Sequence, residues 1–200
     1  MRKERKKRFL LPEDLIPTFE PFATLSQSTG WGLLQAGIPD AHKATKGAGI
    51  KIAVLDTGGT EHNDLTANIV ANIDCTGHNS PLDRQGHGTH VAGIIAASDN
   101  EFGILGVAPE SKIYCMKVLD DSGHGGYTTI EAGIKEAINN GVDIINMSLG
   151  SSRQPPDSFH RTIKEAYERG IFIVAAAGND GGSVNWPAKY PEVIAVGAIG

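Results

Sequence analysis

The sequence predicts an α/β fold in which helices cover both faces of a parallel sheet. Three observations lead there. Short runs such as 50–55 are apolar on almost every residue, the pattern of strands buried on both faces. Helical stretches of 12–13 residues separate the later strands, which is the rhythm of a parallel sheet. The polar signals fall just after strands: Asp56 after one, Ser148 after another, Gly178-Asn179 after a third. Ligands in such sheets sit at the carboxyl ends of the strands.

Residues 1–26 read as an arm, punctuated by Pro12, Pro17 and Pro21 and anchored by Leu10, Leu11, Leu15, Ile16, Phe19 and Phe22. Residues 27–200 read as one domain. A strand is expected over 50–55, ending on Asp56, then a buried helix over 87–98 and a strand over 112–118. The amphipathic stretch 128–140 predicts a helix, with Thr128-x-x-Glu131 as a capping box and Gly141 as its stop. A strand over 142–147, a surface helix over 157–169 ended by Gly170, and strands over 171–177 and 193–199 complete the pattern. There is no internal repeat and no low-complexity stretch.

Composition excludes several classes. Two hundred residues, 40% of them apolar, suffice for one packed domain and argue against a wholly disordered chain. Six of the 18 basic groups lie in residues 1–8, so the rest of the chain is acidic and ill suited to general nucleic-acid binding. The 25 glycines, well above the usual ~7% and without a triplet period, imply tight turns and close backbone approaches. Cys75 and Cys115 form no disulfide framework. No apolar run approaches the ~18 residues of a membrane span. Only Phe9-Leu10-Leu11 follows the basic start before Pro12, too short for a secretory core. A cytoplasmic location with reduced thiols is therefore expected. A nucleotide-binding domain is disfavoured, because no G-x-G-x-x-G follows the first strand and no Walker lysine is present.

Three polar elements carry the chemistry. Asp56, in Val54-Leu55-Asp56-Thr57-Gly58, can be a turn residue when taken alone. His87, in Gly86-His87-Gly88-Thr89-His90-Val91-Ala92-Gly93, is sterically open, and imidazole is the usual proton shuttle near neutral pH. His87 and His90 are three residues apart, but no third metal ligand lies near, and His90 is expected to pack inside. Asn179, in Ala175-Ala176-Ala177-Gly178-Asn179-Asp180, can be a turn residue or a carboxamide donor aimed at a developing oxyanion.

Together these elements resemble the subtilisin-like serine proteases, over about 27–200. Met147-Ser148-Leu149-Gly150 and 190–197 add to the likeness, as does the order acid, then histidine. The resemblance implies that Asp56 orients His87, that His87 takes and returns the nucleophile's proton, and that Asn179 holds the oxyanion. Gly123-His124-Gly125 and Ser148-Leu149-Gly150 would clamp a protein or peptide substrate by strand addition. Tyr127 would line an outer apolar subsite. Ala176, Ala177, Gly178 and Asn185 would wall a roomy primary pocket, with Asp180 near its mouth.

The resemblance also implies a structural calcium ion beside the histidine helix. Gln27, Asp64 and Asn100 would offer side-chain oxygens, and Ser98, Phe102 and Ile104 carbonyls, a hard-cation set. Two departures bear on this picture. The Asp56-to-Asp64 segment is one residue shorter than the commonest family spacing, with Asn63 in place of proline. Leu15-Ile16-Pro17 is weakly similar to the inhibitory extensions of intracellular subtilisins. A third departure is larger. The family's nucleophile lies in Gly-Thr-Ser-Met-Ala at the start of a central helix, and these 200 residues hold no such motif. Ser148 matches the substrate-edge strand instead. The sequence thus leaves two readings: the amino-terminal part of a serine endopeptidase, inactive alone, or a non-catalytic subtilase that binds peptides or a complementing chain. Strands 50–55, 142–147 and 171–177 are expected to expose apolar side chains where the serine helix would lie, a surface prone to self-association.

Overall fold

The computed structural model describes residues 26–199. The arm anchors Leu10 to Phe22 lie outside the described residues. Two short helices, α1 (Trp31–Gln35) and α2 (Ile38–Ala41), precede the sheet. Then come β1 (Lys51–Asp56), β2 (Ile69–Asp74), α3 (His87–Ala96), β3 (Lys112–Lys117), α4 (Tyr127–Asn139), β4 (Ile144–Met147), α5 (Asp157–Glu168), β5 (Phe172–Ala176) and β6 (Ile194–Val196). All six strands are parallel, in the order β2-β3-β1-β4-β5-β6. Successive strands build out first on one side of β1 and then on the other. The reversal places a crevice beyond the carboxyl end of β1.

β1 is buried from Ile52 to Asp56 because both its faces are covered. Ala53 and Leu55 join the larger core, with Ile130 and Ile134 of α4 and Phe159 and Ile163 of α5. Ile52 and Val54 face the other way, onto Ala92 and Ala96 of α3. α4 lies close to the sheet because Gly133 lacks a side chain. A Cβ there would stand 2.5 Å from Val118 Cγ1 and 3.2 Å from Leu55 Cγ. Phe159 sits at the centre of an aromatic cluster, 5.5 Å from Tyr127 and 6.4 Å from Tyr190 between ring centroids.

The two faces are not covered equally. α3 spans β1 and β3, with Ile144 of β4 at its margin, and it leaves the β5–β6 part of its face open. Phe172, Ile194 and Val196 are each more than half exposed there. Of the three strands expected to expose apolar side chains, β5 does, together with the neighbouring β6, whereas β1 is buried under α3 and β4 is buried or half-buried.

Four local expectations are corrected. β2 was not anticipated: its mixed, half-exposed pattern reflects an edge position. α4 starts at Tyr127 behind Gly126, so Thr128 is not its cap. Thr129 Oγ1 accepts from Gly126 N (3.3 Å) and donates to Val118 O (2.8 Å), while Glu131 pairs with Lys135 (2.8 Å). α3 ends at Ala96, because Ala97 turns extended and Ser98 N bonds Asp64 O (2.8 Å). His90, expected inside, is exposed, because its side of α3 lines an open cavity of about 580 Å³ with Thr89, Gly93 and Ile104.

Phe159→Ala should lower the unfolding free energy by about 3–5 kcal/mol, as for other fully buried aromatics. Phe172→Ser should change it by no more than about 0.5 kcal/mol. Urea unfolding of the two variants checks the contrast, and equal losses would contradict this layer assignment.

Candidate active site

β1 delivers the Asp56 carboxylate, fully buried, to the carboxyl edge of the sheet. α3 begins at His87, and Gly86 before it is left-handed (φ 98°), which turns the first helical residue toward β1. Gly88 then permits the approach. A Cβ on it would collide with Gly58 O and lie 3.2 Å from Asp56 Cβ. His87 Nδ1 consequently stands 2.8 and 2.9 Å from the two Asp56 carboxylate oxygens. The Thr57 amide donates to Asp56 Oδ1 at 2.7 Å. With its Nδ1–H given to Asp56, the imidazole keeps the Nε2 lone pair as a base.

Electrostatics reinforce that role. Burial pulls His87 toward the neutral form, but the hydrogen bond and charge of Asp56 outweigh it and Asp83 adds to them. The His87 pKa is therefore raised above its ordinary 6.5. Burial pushes the Asp56 carboxyl up, against the hydrogen bonds from His87 and the Thr57 amide.

The edges expected to hold a substrate gather at the same end of the sheet. Ser151 and Trp186 exchange backbone hydrogen bonds of 2.9 Å, and Asn185 N donates to Ala177 O at 2.8 Å. Gly150 and Gly178 both press on the Asn185 side chain, at 3.3 Å and 2.5 Å from where their Cβ atoms would be. Gly150, Ala177 and Gly178 thus meet around Asn185, while the Leu149 side chain is buried in the core. Ser148 Oγ accepts from Asn146 Nδ2 at 3.0 Å and makes no hydrogen bond to His87. Tyr127 Oη donates to Arg153 O at 2.6 Å, tying the start of α4 to this strand. Gly123-His124-Gly125 forms the end of a turn built on Asp120, whose Oδ1 accepts from the Ser122 and His124 amides at 2.9 and 3.0 Å. Asn179 and Asp180 are exposed just beyond β5.

The model of the subtilase family, Peptidase_S8, matches residues 47–200. The chain belongs to the subtilase family. It is 45% identical over 177 residues to an alkaline protease of Shouchella clausii, covering 88% of this chain and 46% of that relative. It is 45% identical over 175 residues to subtilisin Savinase of Lederbergia lenta, covering 86% of this chain and 64% of that relative. Against a subtilisin of Bacillus pumilus the figures are 43% over 181 residues, 87% and 66%. The chain thus spans about half to two-thirds of the length of these relatives.

Most of the expected cation loop of this subtilase also converges. Gln27 Nε2 lies 2.6 Å from Ser98 O and 3.1 Å from Ile104 O. Asp64, buried despite the shortened spacing, accepts from Asn100 Nδ2 and from Ile104 N, both at 3.1 Å. Asn100 Oδ1 accepts from the Phe102 amide at 3.0 Å. The segment at Gln27 is pinned to the loop by Gln27 N→Glu101 O (2.9 Å) and Ser28 N→Gly103 O (2.8 Å). The donor set is oxygen-rich but holds one carboxylate. Among the described residues there is no cluster of three or more His, Cys, Asp or Glu that could hold a metal.

Sequence reasoning missed Thr57, Asp83 and Lys117. Lys117 is buried in β3, and its Nζ donates to Thr57 O (2.8 Å), Leu82 O (3.2 Å) and Asp121 Oδ1 (2.7 Å). An Asp four residues before the histidine and a Lys inside an apolar strand were the available signals.

NMR titration should place the His87 midpoint above 6.5, with Asp56→Asn moving it down. A midpoint unmoved by that substitution would contradict the contact. Gly88→Ala should destabilise the fold strongly, by more than the ~1 kcal/mol typical of point changes, because backbone must move.

Proposed function

We propose that this subtilase is a serine endopeptidase in which Asp56 and His87 supply the base. The observation that carries this is the pair of 2.8 and 2.9 Å contacts between His87 Nδ1 and the Asp56 carboxylate, in a chain of this family. A serine hydroxyl, from sequence beyond these residues, would attack the substrate carbonyl carbon. Its proton would pass to His87 Nε2, and His87⁺ would return it to the departing amine as the C–N bond breaks. Water would then repeat the cycle on the acyl-enzyme. Asn179 would donate to the oxyanion. Segments 123–125 and 148–150 would sandwich a protein or peptide substrate. Ala176, Ala177, Gly178 and Asn185 would admit a large apolar side chain, Asp180 would tolerate a basic one, and Tyr127 would serve a more distant subsite.

The oxygen set around Asp64 fits a hard cation. The Ser98 and Ile104 carbonyls converge on the Gln27 carboxamide, whose oxygen and nitrogen can exchange places. We therefore propose a calcium site formed by Gln27, Asp64, Ser98, Asn100, Phe102 and Ile104. Bound calcium would cross-link the Gln27 segment to the loop after α3. The open apolar face at Phe172, Ile194 and Val196 suits a covering segment, which is the serine-bearing sequence under this reading and a complementing chain under a second reading, a peptide-binding or chain-complementing protein without catalysis. A face of that kind suits a complementing chain or a second copy. The cytoplasmic location expected from the sequence belongs to the same proposal.

The 200-residue chain alone should hydrolyse no chromogenic peptide and take no fluorophosphonate label. Joined to a segment bearing Gly-Thr-Ser, it should do both, and His87→Ala should abolish turnover. Activity should rise with pH as His87 loses its proton, and because its pKa is raised, the midpoint should lie above 6.5. Labelling of the 200-residue chain itself would overturn the assignment. Calcium should raise the melting temperature relative to chelator, by the equivalent of about 2.7 kcal/mol at a hundredfold excess over Kd. An unchanged midpoint would remove the site.

A further inference from the structure

Asp83 has no role in the reaction above, yet it is 7% exposed and saturated with hydrogen bonds. Its Oδ1 accepts from Thr57 Oγ1 (2.8 Å), Gln85 N (3.0 Å) and Gly86 N (2.8 Å). Its Oδ2 accepts from Thr89 N (2.9 Å) and Thr89 Oγ1 (2.6 Å). Thr57 Oγ1, having donated to Asp83, accepts from Gly88 N at 2.9 Å. One carboxylate thus holds the residue after Asp56 and the residues on both sides of His87. Lys117 closes the arrangement from below by bonding Thr57 O and Leu82 O.

We propose that Asp83 is a positioning residue of the Asp56–His87 pair, acting through the Thr57 hydroxyl and the first-turn amides of α3. The inference rests on the reading of that pair as the base. Asp83 touches neither substrate nor reacting atoms. It fixes the distance between a strand end and a helix start, and catalytic geometry tolerates about half an ångström of error. It also adds a second negative charge to the surroundings of the imidazole. Burial pushes the Asp83 carboxyl up, but the hydrogen bonds from Thr89, Gly86 and Thr57 outweigh it and keep it ionised. The other groups facing His87 are Asp56 from β1 and His90 one turn along α3. From β3 comes the Cys115 thiol, which burial, with the charges of Asp83 and Asp56 adding to it, pushes up to about 12, so it stays neutral. Lys117, also on β3, is occupied by its three oxygen partners.

The test follows the His87 ring by NMR in the full chain, through its titration midpoint and its low-field Nδ1–H resonance. Neither readout needs turnover, so a failure of the peptidase reading leaves the test intact. Asp83→Asn should lower the midpoint by several tenths of a pH unit and weaken the Nδ1–H signal. Thr57→Val keeps every charge and should weaken the Nδ1–H signal alone, and Thr57→Ser should restore it. If Asp83→Asn does not fold, the Thr57 pair decides. Variants that unfold more easily while the midpoint and the Nδ1–H signal stay unchanged would make Asp83 a helix cap only and overturn the proposal.

Discussion

The structure depends on how closely the start of α3 approaches the end of β1. That approach buries a carboxylate against an imidazole, an arrangement that costs desolvation unless the partners stay within hydrogen-bond distance. The sequence meets the constraint with backbone, not with long side chains. Gly86 turns the chain, Gly88 removes the atom that would strike Gly58 O, and Thr57 offers a hydroxyl that both donates and accepts. The network around Asp83 and Lys117 then satisfies the polar groups buried beside the pair. Among the described residues no buried side-chain nitrogen or oxygen lacks a hydrogen-bond partner.

The layers explain why the site sits where it does. β1 is central and covered on both faces, so its end is held rigidly while the loops beyond it remain open. α4 and α5 form one continuous apolar layer. α3 provides only half of the opposite layer, and the bare half-face and the cavity beside His90 adjoin it. In this subtilase the half that carries Asp56 and His87 is therefore packed, while the face over β5 and β6 is left open.

The fold class was legible because it follows from local pattern, whereas the Asp56–His87 pair was legible only through the family resemblance, since an Asp at a strand end can equally be a turn residue. Doubly apolar strands specify a covered parallel sheet. The glycines beside His87 suggest a sterically open imidazole, but the ring is buried against Asp56. β2 was not legible, because an edge strand needs no continuous apolar run. The cap of α4 was misread because Thr129 reaches back from inside the helix, a geometry that the Thr-x-x-Glu spacing imitates. His90 was misplaced because the rule that an apolar helix buries its histidine assumes that something covers that side. Asp83 and Lys117 find their partners far along the chain. Their function appears only when the chain folds and three segments, 57–59, 82–89 and 117–121, meet.

The central claim is that the buried contact with Asp56 leaves His87 Nε2 as a free base. The ring tautomer tests this most directly. Two-bond proton–nitrogen correlation spectra of the neutral imidazole should show the proton on Nδ1 and an unprotonated Nε2. A neutral ring protonated on Nε2, or an even mixture of the two forms, would contradict the account, because the nitrogen that must accept the proton would already carry one.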